Sequence, residues 1–98
     1  MELRHLRHFV AVAETTNLTL AAKEELHTSQ PSLSRQIRDL EEEVVAQLMT
    51  RTARGVELTP SGRAFLDHAR TVLSQVDAAV EAARRVAHLP SRALPWAF

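Results

Sequence analysis

The sequence has no cysteine, only two glycines and only four aromatic residues among its 98 residues. Without cysteine, neither a disulfide framework nor a cysteine-based zinc site is possible. Two glycines are too few for the tight turns of a multi-stranded β-fold. Six charged or histidine residues interrupt the first twenty positions, which excludes a signal peptide or a membrane span there. We therefore expect a cytoplasmic protein with no membrane association.

Hydrophobic residues make up 45% of the chain, which indicates one helical domain or a small core with an appendage. The net charge is zero, and residues 1–60 hold seven basic and nine acidic residues, a net charge of −2. This balance argues mildly against a nucleic-acid partner. However, residues 30–38 and residues 49–56 each hold two arginines, and the positive charge is concentrated in these two windows. Because attraction to phosphate acts over about 10 Å, these windows matter more than the total charge.

The spacing of apolar residues predicts a first helix from Glu2 to about Thr15. Thr19 is a candidate N-cap for a short second helix over 20–26. After a three-residue connection, a third helix begins near Gln30, with Pro31 in its first turn. A helix, a short turn and a helix with a polar front form the helix-turn-helix pattern.

A β-hairpin follows the third helix in this prediction. Two short β-prone runs, 48–50 and 56–59, flank a basic loop over 51–55 that contains glycine. A hairpin directly after the second helix of the motif is a wing.

Thr59 and Pro60 form an N-cap and first-turn signature that opens a long helix to about Ala87. Such a helix of about 28 residues is roughly 40 Å long and cannot bury its whole apolar stripe on a core of sixty residues. A partner helix, most simply from a second copy, would complete the packing. The alternative is one helix folded back on its own domain. The predicted dimerisation residues are Phe65, Ala69, Val72, Leu73, Val76, Ala79, Val80 and Ala83.

These segments together resemble a known family. LRHLRHFVAVAE, NLTLAA, SQPSLSRQIRDLEEE, QLMTRTARGVELTPSG and the long helix, about Met1 to Ala87, are similar to the N-terminal DNA-binding domain and linker helix of LysR-type transcriptional regulators. The resemblance implies a mainly α winged helix-turn-helix, with three helices and a two-stranded β wing, followed by a long dimerisation helix. It also implies that a homodimer, or a higher oligomer, binds double-stranded DNA at an interrupted inverted repeat through antiparallel pairing of the long helices.

The resemblance also implies which residues contact DNA. The helix near Gln30 would enter the major groove, and Arg54 in the wing would reach the minor groove. Arg51 matches a family position that either contacts DNA or is structural. The full set of candidates is Thr28, Gln30, Pro31, Ser32, Ser34, Arg35, Arg38, Arg51 and Arg54.

Side-chain chemistry agrees with this assignment. Glutamine suits the donor and acceptor pair of adenine, and arginine suits guanine or a phosphate. Ser34 and Thr28 are short hydroxyl donors, and a helix N-terminus favours a phosphate. Glu41, Glu42 and Glu43 lie two turns behind the front, where they discourage wrong docking by repulsion or, as we favour, keep the surface soluble.

Three features depart from the family pattern. One extra residue among 23–25 rotates the exit of the second helix by about 100°. Val45 stands where relatives commonly have the glycine of a left-handed cap, so we expect the third helix to run on or to end differently. The tail, residues 89–98, does not resemble the start of an effector-binding domain. A shifted reading frame, a natural short form or a shortened fragment would all look like this.

We divide the chain into a reading domain (1–59), a dimerisation helix (60–88) and a tail (89–98). We expect no inducer pocket, no cofactor and no enzymatic site on this chain, and His5 and His8 are better explained as a solvated face than as metal ligands.

Two hypotheses about the function remain. The chain is a sequence-specific DNA-binding regulator, or it is a dimerisation module that forms mixed dimers with full-length relatives.

Overall fold

The structure is a computed structural model that describes residues 1–17, 20, 22 and 29–88. Within these residues the chain is mainly helical with one two-stranded antiparallel sheet, which confirms the predicted fold class. Most of the predicted helix over 20–26, its cap Thr19 and the tail lie outside the described residues, and the described Ala22 is buried. The elements are α1 (Leu3–Thr15), α2 (Gln30–Val44), β1 (Met49–Thr52), β2 (Gly55–Leu58) and α3 (Pro60–Ala87).

Side-chain hydroxyls cap the starts of α2 and α3, as predicted at Thr59 and in addition at Ser29. Ser29 precedes α2, and its hydroxyl accepts a hydrogen bond from the Ser32 N–H at 3.2 Å. Thr59 precedes α3, and its hydroxyl accepts from the Gly62 N–H at 2.9 Å. Both caps satisfy a backbone donor that the helix itself cannot.

The core lies where α1 packs against both α2 and α3. Phe9 at the centre of α1 is fully buried and meets Phe65 of α3 edge to face, with ring centroids 5.1 Å apart. Aromatic pairs prefer this geometry to face-to-face stacking. The other large fully buried side chains are Val12, Leu33 and Leu48, so all three helices and the start of the wing share one core.

The end of α2 corrects the expectation at Val45. The helix stops at Val44, and Val45 adopts the left-handed conformation with φ 56° and ψ 45°. The N–H groups of Val45 and Ala46 both bond to the Glu41 carbonyl, which is the closure that a glycine cap makes. The valine side chain is 88% exposed, so it meets no tertiary obstacle there. The prediction that this helix would run on or end differently is therefore wrong.

Strand β1 is longer and the wing loop is shorter than predicted, and both outer ends of the hairpin lie one residue further in. Arg51 and Thr52 belong to β1, and Gly55 begins β2, opposite Thr52. Only Ala53 and Arg54 form the turn, in place of the predicted five-residue loop. The period-2 signal of the sequence is weak here because three of the four β1 side chains are exposed. The pairing of Arg51 with Val56 and of Thr52 with Gly55 is a feature of the backbone ladder, which side-chain alternation does not report.

Two glycines allow backbones to approach closely around the wing. A Cβ on Gly55, whose φ is +127°, would lie 2.3 Å from the Thr16 carbonyl oxygen. The neighbouring Val56 N–H donates to that same oxygen at 2.9 Å, which ties β2 to the end of α1. A Cβ on Gly62 would lie 1.9 Å from the Leu48 carbonyl oxygen, so only glycine lets α3 start against the residue that precedes β1.

The long helix has the predicted bounds, with 28 residues from Pro60 to Ala87. Its first three turns are part of the core through Leu66 and Ala69, whereas Val72 and Val80 are each 42% exposed. Ion pairs from α1 reach along it, with Glu14 and Arg70 at 3.4 Å and Arg7 and Asp77 at 4.0 Å. Among residues 1–17 and 29–88, no helix has the length and apolar character to cross a membrane.

Candidate nucleic-acid interface

A groove of about 780 Å³ lies between the DNA-facing side predicted for α2 and strand β1. Its floor is apolar and includes Ile37, Met49 and Val56. Because β1 follows α2 after a short connection, the fold brings residues from both windows of positive charge to one place. Six of the predicted DNA-contacting residues line this groove, namely Gln30, Pro31, Ser34, Arg35, Arg38 and Arg51.

The Ser34 hydroxyl joins the two walls of the groove. Its oxygen accepts a hydrogen bond from Gln30 Nε2 at 2.8 Å and another from the Arg51 guanidinium. With both acceptor positions used, the hydroxyl proton is directed away from these partners, where it can be donated to a phosphate oxygen. Arg51 therefore has the structural contact that the resemblance allowed for, while its side chain stays exposed.

The remaining predicted contacts lie around this groove or outside the described residues. Arg54 is exposed in the wing turn, where its N–H donates to the Thr52 hydroxyl at 3.2 Å. Ser32 is exposed in the first turn of α2 and does not line the groove. Thr28 lies outside the described residues. The arginines at 35, 38, 51 and 54 are all exposed, as phosphate contact requires.

Glu41 is a functional candidate that spacing in the sequence did not reveal. It lines the groove among the arginines, but its Oε2 accepts the Leu48 N–H at 2.7 Å and the Met49 N–H at 3.2 Å. Glu43 accepts from the N-terminal ammonium of Met1 at 2.7 Å. Surface solubility, the role favoured for all three glutamates, therefore does not account for the contacts of Glu41 and Glu43. No sequence spacing signals the Glu41 contact, because its partners are backbone groups.

A second unpredicted contact connects α1 to the front of α2. His8 Nδ1 contacts Gln36 Oε1, and Gln36 Nε2 donates to the Ser32 hydroxyl at 3.4 Å. The i, i+4 spacing of Ser32 and Gln36 is visible in the sequence, but the pairing with His8 depends on the packing of α1. His5 Nε2 lies 3.9 Å from Glu2 Oε2. In the described part of the chain no three potential metal-binding side chains converge.

The predicted dimerisation stripe of α3 divides into two parts in the single chain. Phe65 and Ala69 pack within the chain's own core. From Val72 onward the stripe is half-buried or exposed, with Leu73 and Val76 intermediate and Ala79, Val80 and Ala83 exposed. The single chain therefore leaves the distal part of the stripe without a covering element among the described residues.

The arrangement matches a known regulator family. Residues 3–63 fit the model of the bacterial regulatory helix-turn-helix proteins of the lysR family. This match covers more than half of the chain. The chain belongs to the LysR family.

Its LysR relatives are transcriptional regulators with a DNA-binding domain and not enzymes, as predicted. The Hca operon transcriptional activator HcaR of Escherichia coli K12 is 56% identical over 86 residues, which is 88% of this chain and 29% of HcaR. BudR of Klebsiella aerogenes is 55% identical over 87 residues, 89% of this chain and 60% of BudR. The chain thus spans less than two thirds of the length of these regulators.

Solved LysR structures give the same architecture. The DNA-binding domain of BenM, in a complex with catB site 1 DNA, is 49% identical and superposes with a TM-score of 0.86 over 92% of this chain and 100% of that domain. The DNA-binding domain of CbnR, also in a DNA complex, is 43% identical with a TM-score of 0.83 over 90% of this chain and 100% of that domain. The chain therefore carries a LysR-type DNA-binding domain of the kind used in transcription regulation.

Proposed function

We propose that the chain binds double-stranded DNA sequence-specifically as a homodimer, at an interrupted inverted repeat, and regulates transcription in the cytoplasm. The observation that carries this proposal is the groove between α2 and β1, where both windows of positive charge converge. Similar domains of BenM and CbnR have been solved as DNA complexes, which supports the same partner for this chain.

In the proposed mode, the N-terminal half of α2 enters the major groove and the wing follows the DNA backbone. Gln30 and Arg35 offer bidentate hydrogen bonding to base edges, and the hydroxyls of Ser32 and Ser34 suit phosphates. Arg54 would reach the minor groove in this mode, which its exposure in the wing turn supports. The positive end of the α2 dipole also favours a phosphate, although Pro31 has no N–H and the Ser32 N–H is already bonded to the Ser29 hydroxyl.

Residues 1–59 serve as the reading domain in this proposal, and the helix over 60–88 serves for pairing. The exposed stripe from Val72 onward supports antiparallel pairing of two α3 helices, because an apolar stripe at this spacing is normally covered. Phe65 and Ala69 are then core residues at the base of the paired helices rather than their main contacts.

The test is selection from a pool of random duplexes at near-physiological salt, followed by measurement of affinity for the selected site. Recovery of a two-fold symmetric motif with half-sites one or more helical turns apart is expected. Arg35→Ala and Arg54→Ala should each weaken binding by about 1–3 kcal/mol, and Arg35→Ala should also relax base preference. Arg85→Ala, an exposed arginine at the far end of α3, is the matched control and should bind unchanged.

The exposed α3 stripe also favours a second candidate function, pairing with full-length relatives to form mixed dimers. This candidate would be supported against the first if a folded, dimeric chain selected no duplex. Arg35→Ala and Arg54→Ala should then leave the pairing of the chain unchanged. Mixed dimers would then be detected by co-purification of the chain with a tagged full-length relative.

A further inference from the structure

We infer that Glu41 is the positioning residue that sets the wing against α2 and so determines how Arg54 meets DNA. The inference rests on the proposed DNA-binding function. Glu41 itself need not touch DNA, since its carboxylate is directed to the chain's own backbone.

Glu41 accepts hydrogen bonds from most of the connection between α2 and β1. Its backbone carbonyl accepts from Val45 and Ala46, and its side-chain Oε2 accepts from Leu48 and Met49. Hydrogen bonds to a charged acceptor are stronger than neutral ones. One residue thus holds both the end of the helix and the first residue of the strand.

The position of Glu41 also has an electrostatic cost that needs a compensating contact. The last turn of α2 contains no basic residue, and a carboxylate near a helix C-terminus opposes the helix dipole. Glu41 also lines a groove that is proposed to accept phosphates, where a free negative charge would weaken binding. Two N–H donors on Oε2 offset the charge at this site, which accounts for an acid in this place.

The other connection of the wing to α2 is less constraining. The Arg51 guanidinium reaches the Ser34 hydroxyl, but Arg51 is a long and exposed side chain. The core still holds the side chains of Leu48 and Met49, and the Val56 N–H still bonds to the Thr16 carbonyl. Loss of Glu41 would therefore loosen the backbone at the base of β1 rather than release the wing, and the wing turn with Arg54 would shift relative to α2 through the β1–β2 ladder.

The experiment compares the wild-type chain with Glu41→Ala and Glu41→Gln, with Glu42→Gln as the matched control because Glu42 is the exposed neighbour. Amide hydrogen exchange, measured without DNA, should quicken about tenfold or more at Leu48 and Met49 in Glu41→Ala. Glu41→Gln should show a smaller effect, because its amide oxygen can still accept, and it provides a folded variant if Glu41→Ala is unstable. Unchanged exchange at both amides would overturn the inference.

A double-mutant cycle then separates positioning from general stability. At a temperature where all variants are folded, Glu41→Ala should weaken binding to the selected duplex about tenfold in the wild-type background. In the Arg54→Ala background the same change should cost about twofold or less, because the wing contact is already lost. Equal costs in both backgrounds would overturn the inference. Failure of the wild-type chain to select any duplex would instead refute the proposed function, and the exchange experiment would still report on the Glu41 contact.

Discussion

At the residue scale, the left-handed backbone conformation of Val45 costs conformational free energy in the native state. A β-branched residue in the left-handed region is a conformational outlier, and the conformation costs about 1–2 kcal/mol relative to glycine. Because the side chain is 88% exposed, its packing returns little of that energy. The α2 end is nevertheless fixed by the two bonds to the Glu41 carbonyl and by the core that α2 and Leu48 share.

We therefore predict that Val45→Gly raises the free energy of unfolding by about 0.5–1.5 kcal/mol. The added freedom of glycine in the unfolded chain reduces the gain below the full conformational cost. Chemical denaturation at matched protein concentration measures the change. Val45→Ala is the control and should give a smaller gain, since alanine removes the branching but keeps a Cβ. A loss of stability in Val45→Gly would show that the valine side chain packs in the native state.

The helices α1, α2 and α3 could be predicted closely from the sequence and the wing only in outline, for physical reasons that particular residues show. Apolar spacing, Pro31 in a first turn and the cap at Thr59 indicate helix ends that depend on local contacts. Arg51 and Thr52 enter β1 through pairing with β2, and no local signal reports that pairing. The Glu41 and His8 contacts depend on tertiary packing, so residue spacing could not reveal them.

At the element scale, α1 is held on α3 by two kinds of contact of unequal strength. Phe9 and Phe65 contribute buried aromatic area and an edge-to-face contact. The pair between Glu14 and Arg70 joins side chains that are 55% and 52% exposed, so solvent screens it. The aromatic contact should therefore dominate the docking of the two helices.

We predict that Phe65→Leu lowers the free energy of unfolding by about 1–2 kcal/mol, whereas Glu14→Gln lowers it by less than about 0.5 kcal/mol. Thermal and chemical denaturation at several protein concentrations measure both changes. If Phe65 belongs to the core of one chain, its effect will not depend on concentration. An effect that grows with concentration, or equal effects of the two variants, would contradict this account of the α1–α3 contact.

At the scale of the whole molecule, net charge and exposed apolar surface have separate roles. The chain is neutral overall, yet its arginines at 35, 38, 51 and 54 gather around one groove and the wing turn. The exposed valines Val72 and Val80 lie away from this groove, along α3. A regulator that reads two half-sites needs both features, because pairing sets the distance between two copies of the groove.

We predict that Val76→Asp converts the proposed dimer into a folded monomer, because a carboxylate at a paired helix stripe would be buried without a partner. Sedimentation or light scattering measures the mass, and circular dichroism checks that helical content remains. Gln75→Asp places the same charge on the neighbouring exposed position of α3 and should stay dimeric. The monomer should also lose the extra affinity that two linked half-sites provide. Its affinity for a single half-site should not exceed that of the wild type. A dimeric Val76→Asp chain would mean that the pairing surface lies elsewhere, and the spacing of half-sites would then have to be set by another part of the molecule.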